Sequence, residues 1–224
     1  LTISYCPKLT FKGIERFKQL TYLEMRGLTA VKRFGALKKL ETLNANASGL
    51  TDESLADLPA TLTVLKVGSC EGITDESVKN LPDSIESLDL MATKVTDAVI
   101  PYLPFNLSRL DLRITENITV NSYKRLPRYL VHLKVSKMTN EAMKHLPKRL
   151  ESLNISTTKV TSEGYAHLRR GLKRLNVFLH PFRDSDTKYL PDTLERLELN
   201  KAYITDTGLA NLPKSIRYLD LSYC

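Results

Sequence analysis

The sequence predicts an α/β solenoid, a right-handed coil of short units with a parallel β-sheet on its concave face and short helices on its convex face. Three observations carry that expectation. The pattern Leu-x-x-Leu-x-(Leu/Val/Ile) begins at Leu20, Leu40, Leu62, Ile85, Leu107, Leu130, Leu150, Leu172, Leu194 and Ile216, in steps of 20 to 23 residues. Each copy is followed by a short polar link, then by an apolar residue with Thr and often Asp behind it, as in GLTDESLADLP and YITDTGLANLP. A period of this length is one supersecondary unit, which covers its apolar face only by stacking on its neighbours. The chain opens inside a unit (Leu1, Ile3) and closes inside one (Leu219, Leu221). The expectation is a single domain over 1–224, with about nine full repeats and partial ones at both ends. Because it opens on Leu1 and not Met, the chain is expected to be a piece of a longer protein.

The elements of a unit follow in order. The period-2 apolar pair of Leu-x-Leu predicts a strand with one buried face. Thr51, Thr74, Thr96 and Thr205 are placed as helix N-caps, and Asp52, Asp75, Asp97 and Asp206 suit the positive end of the helix that follows. Apolar residues three apart, Leu55 with Leu58 and Leu209 with Leu212, give that helix its buried side. Pro59, Pro82, Pro104 and Pro213 stop it.

The pattern resembles the leucine-rich-repeat superfamily over the whole chain. The ITDxxLxxL half, with Cys in the slot after the strand, is similar to the cysteine-containing repeats found with F-box proteins. The LPxxLxxL joint (LPDSIESL, LPDTLERL, LPKSIRYL) is similar to repeats of bacterial type III effector ligases. The unit is longer than the roughly 20-residue effector repeat, and it lacks the second Cys near the helix end of the cysteine-containing unit. What the resemblance implies is a non-catalytic protein-recognition module or, alternatively, the substrate-recognition part of a ubiquitin ligase. For an effector, the resemblance implies work in the host cytosol.

Composition sets further bounds. The 224 residues carry 33 Lys+Arg against 25 Asp+Glu, a net +8. No apolar run is long enough to span a bilayer. The charge is uneven: residues 107–180 hold 15 basic and 5 acidic residues, and the remainder is close to neutral. Such a zone suits another protein with an acidic surface, while nucleic acid is disfavoured because few aromatics interleave the basic residues. Cys6, Cys70 and Cys224 share one slot of the repeat, held elsewhere by Ser48, Thr93, Thr115, Thr158 or Ala202. Three units of stacking separate Cys6 from Cys70 by roughly 14 Å, beyond the ~7 Å a disulfide allows. Free thiols and a cytoplasmic, reducing setting are expected. His132, His145, His167 and His180 do not converge, and no catalytic, metal or cofactor motif occurs, so no cofactor is expected.

Alternation turns the third, fifth and seventh residue of each unit away from the core, and stacking lines them into the wall that binds. Ten residues are expected to carry recognition: Arg109, Asp111, Arg113, His132, Lys134, Arg174, Asn176, Phe178, Arg196 and Glu198. The unit from Leu172 departs from the others: Phe178, Leu179, His180 and Pro181 replace its polar link, and Phe182 is expected to fill the buried slot of Val160 or Ile204. An exposed Phe178 beside Arg174 and Arg196 has the composition of an interface hot spot.

Overall fold

A computed structural model describes residues 1–6, 9, 11–28, 33–156, 158–179 and 182–224. His180 and Pro181 lie outside the described residues. The chain divides into two compact units, Leu1–Ile118 and Thr119–Cys224. In the first, β1 (Thr2–Ser4), β2 (Tyr22–Arg26), β3 (Thr42–Asn44), β4 (Val64–Lys66), β5 (Ser87–Asp89) and β6 (Arg109–Leu112) pair in chain order as a parallel sheet. In the second, β7 (His132–Ser136), β8 (Ser152–Ser156), β9 (Arg174–Phe178), β10 (Arg196–Asn200) and β11 (Tyr218–Asp220) do the same. Equivalent residues pair throughout: Leu43, Leu65, Leu88 and Leu110 in one ladder, and Leu133, Leu153, Leu175 and Leu197 in the other. These leucines are buried, so each unit is the predicted α/β repeat solenoid with its core between the strands and the short helices.

Directly after the strand the chain makes a turn that the sequence does not announce. The eighth residue of successive units, Tyr5, Ala47, Ser69, Ala92, Ile114, Lys137, Leu179, Lys201 and Tyr223, has φ between 52° and 63°, and Gly27 has φ 67°. Left-handed backbone costs a non-glycine residue about 1–2 kcal/mol. The turn sends the ninth side chain inward. Ser48 and Thr93 donate their hydroxyls to the carbonyls of Ala45 and Leu90 at 2.6 and 2.7 Å. Cys70 and Cys224 reach instead to carbonyls of the preceding repeat, Sγ to Ala45 O at 3.3 Å and to Leu199 O at 2.9 Å. Cys70 and Cys224 thus use the slot for polar contact with a neighbouring repeat, whereas Cys6 donates to Ser4 O of its own at 3.4 Å. All three thiols are unbridged; Cys70 is buried, Cys6 half-buried and Cys224 exposed.

The helical elements are single turns, because a run of four to six residues between a cap and a joint admits no more. They are α1 (Phe11–Ile14), α2 (Asp75–Val78), α3 (Val120–Tyr123), α4 (Asn140–Lys144), α5 (Ser162–Tyr165) and α6 (Asp206–Ala210). Tighter 3₁₀ turns at Asp52–Leu55, Asp97–Tyr102 and Asp184–Tyr189 stand where other units have α-helix. Thr74, Thr96 and Thr205 cap as expected, each accepting from the backbone N–H two residues on. Thr119 does so as well, accepting from Asn121, and Thr139 accepts from Ala142, three residues on; at Thr51 the backbone N–H instead donates to the Ser54 hydroxyl at 3.2 Å.

The aspartate after the cap has a larger task than completing a helix end. Asp52 accepts from the backbone N–H of Thr74 at 2.8 Å and from its hydroxyl at 2.6 Å, one repeat further on. Asp75 clamps Thr96 in the same way at 2.7 and 2.7 Å, and Asp184 clamps Thr205 at 2.8 and 2.5 Å. In one unit Asn140 substitutes, accepting from Thr161 N–H at 2.9 Å and donating to its hydroxyl at 2.8 Å. The Thr-Asp pair is thus a polar staple between consecutive repeats.

Phe182 fills the buried slot as expected, edge-on to Tyr165 with ring centroids 5.1 Å apart. Leu209 departs from expectation at 37% exposed; among the described residues α6 packs on the Asp184–Tyr189 turn alone.

Candidate functional site

In Thr119–Cys224 the alternation places the third and fifth residues of each repeat, carried by β7 to β10, on the outer strand face, half-buried or exposed, while the leucines between them are buried. Along the fifth positions this face runs Lys134, Asn154, Asn176, Glu198, Asp220, from a cation through two amides to two carboxylates. Along the third it runs His132, Ser152, Arg174, Arg196, Tyr218. Two strands apart, Arg174 donates to Nδ1 of His132 at 3.4 Å. Arg196 donates through Nε to Glu198 at 2.5 Å and lies 3.7 Å above the ring of Tyr218. The hydrogen bond to Glu198 holds the guanidinium above its ordinary pKa. Hydrogen bonds from Ser222, and one from Asn200, hold the carboxyl of Asp220 below its ordinary range.

Between these rows lies a cleft of about 160 Å³ lined by Lys134, Ser152, Asn154, Arg174, Asn176, Arg196 and Glu198. The amide of Asn176 donates to Glu198, which fixes its orientation and turns the carbonyl oxygen the other way. That Oδ1 is buried and accepts no hydrogen bond among the described residues. An unsatisfied buried acceptor costs about 1–3 kcal/mol. Beside the cleft, Phe178 at the end of β9 and Leu179 after it are 41% and 43% exposed. Chemically the wall offers two guanidiniums, a graded row of charge, an orphaned acceptor and an aromatic anchor.

The strand face of Leu1–Ile118 is different. Glu24 is engaged by the Tyr22 hydroxyl at 2.8 Å and by Arg26 at 3.3 Å. Gly68 leaves room for Asn46 to reach Asp89 at 3.1 Å, and the Gly68 N–H donates to Asn46 Oδ1 at 2.7 Å. Of the three expected binding residues in this unit, Arg109 is exposed but Asp111 is only 7% exposed. Its carboxylate takes the Nε and a terminal nitrogen of Arg113 at 3.0 and 2.8 Å and the Arg113 N–H at 3.1 Å. The hydrogen bond to Asp111 holds Arg113 above its ordinary pKa. Asp111 and Arg113 thus spend their charges on each other. Their i, i+2 spacing puts opposite charges on one face of a strand, and that was the signal for the pair.

Seven of the ten expected residues, His132, Lys134, Arg174, Asn176, Phe178, Arg196 and Glu198, therefore lie within one unit, and five of them line its cleft. The same alternation also puts Ser152, Asn154, Tyr218 and Asp220 on this wall, outside the ten expected residues, and they complete the rows. His145 lies on the helix side, bonded to Glu141 at 3.2 Å. Among the described residues no group of His, Cys, Asp and Glu has the arrangement of a metal site, and no helix is long and apolar enough to cross a membrane.

A leucine-rich-repeat family model matches residues 59–81, the stretch that holds β4 and α2. Among solved structures, an internalin from Listeria monocytogenes shares the fold, with a TM-score of 0.52 at 18% identity over 99% of this chain and 87% of that one. No curated protein matches the chain in sequence.

Proposed function

We propose that this chain, a member of the leucine-rich-repeat superfamily by motif and by fold, is a non-catalytic protein-recognition module whose partner docks on the strand face of Thr119–Cys224. The observation that supports this most is the cleft around Asn176, where a buried acceptor has no donor among the described residues, beside two guanidiniums and an exposed Phe178. A wall built for stability alone satisfies its buried polar atoms. A donor brought by a partner satisfies this one once the Asn176 amide turns outward from its buried position. The row from Lys134 to Asp220 fixes the polarity of that partner: acidic groups face Lys134 and Arg174, donors or cations face Glu198 and Asp220. Rigid strands hold these side chains, so little backbone entropy is lost on binding. The unbridged cysteines support a cytoplasmic, reducing setting.

Titration of a captured partner against Phe178→Ala and Arg174→Ala tests the proposal. A desolvated aromatic anchor is worth about 2 kcal/mol or more, so the Phe178 variant binds roughly thirtyfold more weakly. Affinity that survives both changes but falls with Lys188→Ala, on the helix side, refutes it. The narrower reading as the substrate-selecting part of a ubiquitin ligase rests on the cysteine slot and the LPxxLxxL joints. An F-box or a catalytic cysteine domain in the full-length protein decides that reading.

A further inference from the structure

We infer a second recognition surface on this protein: a basic ridge on the joints between helix and strand in Thr119–Cys224, suited to an acidic peptide segment. Its basis is register. His132, Ser152 and Arg174 pair directly across β7, β8 and β9. The residues four before them, Arg128, Lys148 and Arg170, therefore stack in equivalent places of three consecutive repeats. All three are exposed. The stacking is visible in side chains as well, since Arg149 of one repeat lies 5.1 Å over the ring of Tyr129 in the repeat before, and Arg128 covers the same ring at 5.6 Å.

The neighbouring cations show what a structural role looks like. Arg169 donates to the carbonyls of Leu146 and Lys144, closing the end of α4 one repeat back, at 3.0 and 3.3 Å. Lys144 pairs with Glu141 at 2.7 Å and Lys173 with Glu151 at 3.1 Å. Arg128, Lys148, Arg149 and Arg170 have no acidic partner among the described residues. Adjacent repeats lie about 4.8 Å apart, and like charges directly opposite one another across strands repel. Three such cations in register raise the local potential and favour an anion that bridges them. In the next repeat the same place holds Asp192, so the run of three cations ends there on that side.

The ridge runs about 10 Å, the reach of three or four extended residues. Single-stranded nucleic acid needs open aromatic faces on which bases stack, but guanidiniums already cover Tyr129, the one aromatic on the ridge. A membrane surface needs apolar anchors beside the cations, and the ridge positions offer none. An acidic peptide needs only the cations.

Labelled octaglutamate provides the test, with an eight-nucleotide oligothymidine and anionic phosphatidylserine vesicles as the competing arms. Octaglutamate binds, and its affinity falls as salt rises. Each reversal among Arg128→Glu, Lys148→Glu and Arg170→Glu weakens it up to about fivefold, and the triple variant at least tenfold. Arg174→Ala, on the strand face, leaves it unchanged, which separates this surface from the one proposed above. Circular dichroism establishes that each variant is folded, and Arg170→Gln serves if the triple variant is not. Failure of octaglutamate to bind, equal loss from Arg174→Ala, or tighter ridge-dependent binding of the oligonucleotide or the vesicles overturns the inference.

Discussion

Replacing Asp75 by Ala and by Asn separates two roles that the Thr-Asp motif could play. Asp75 sits in the first turn of α2, where a carboxylate complements the helix end, yet its two oxygens accept from the N–H and hydroxyl of Thr96, each at 2.7 Å. Both residues are half-buried. Deleting the carboxylate strands two donors at about 1 kcal/mol each, for a loss of about 2 kcal/mol. For a unit the size of Leu1–Ile118 that lowers Tm by about 8 °C. Asn keeps one acceptor for the N–H and can donate to the hydroxyl, the arrangement Asn140 already makes with Thr161. The staple account therefore predicts a loss below about 0.5 kcal/mol for Asp75→Asn. A role confined to the helix dipole requires the negative charge, so Asn and Ala lose stability alike, by about 0.3–1 kcal/mol, and salt abolishes the difference from wild type. Urea unfolding of both variants at low and high salt reads the outcome. Equal destabilisation by Asn and Ala refutes the staple.

Other outcomes follow from the same contacts. Ala92 has φ 53°, so Ala92→Gly relieves left-handed strain of about 1–2 kcal/mol against about 0.4–1 kcal/mol of added unfolded-state entropy; Ala92→Val loses stability in the same thermal melts. The Thr205 hydroxyl and N–H hold the carboxyl of Asp184 below its ordinary pKa, so its contribution is present above the unfolded value near 3.9 and is lost as pH falls through the folded one. Melts between about pH 5 and pH 2 are accordingly flatter for Asp184→Asn than for wild type. Leu153, buried in the second ladder, costs about 2–5 kcal/mol as Leu153→Ala by urea unfolding.

How far the sequence reaches depends on whether a feature repeats in composition or only in space. The leucine ladders, the threonine caps and the inward Phe182 were legible because a periodic apolar or capping residue marks each of them. The left-handed turn was not, because Ala, Ser, Lys, Ile, Leu and Tyr occupy it with a glycine only at Gly27. Stacking imposes that conformation against local preference. The aspartate staple was half-legible: the residue type was right for a helix end, but its partner, some 21 or 22 residues on, emerges only from register. On the strand face, position told which side chains point outward, and lateral pairing then decided which remain available. Arg113 consumes Asp111, whereas among the described residues no ring or cation contact engages the exposed ring of Phe178. Stacked cations such as Arg128 and Lys148 look like ordinary solvated charge until the pairing of β7 with β8 aligns them.

The central claim, recognition through the strand face of Thr119–Cys224, is tested most directly by hydrogen exchange on the complex with a captured partner. The account predicts slowed exchange at β8, β9 and β10, around Asn176 and Phe178, with the helix-side segments from Asn140 to Lys144 and from Asp184 to Tyr189 unchanged. Protection confined to those helix-side segments, with the strands exchanging as in the free protein, contradicts it.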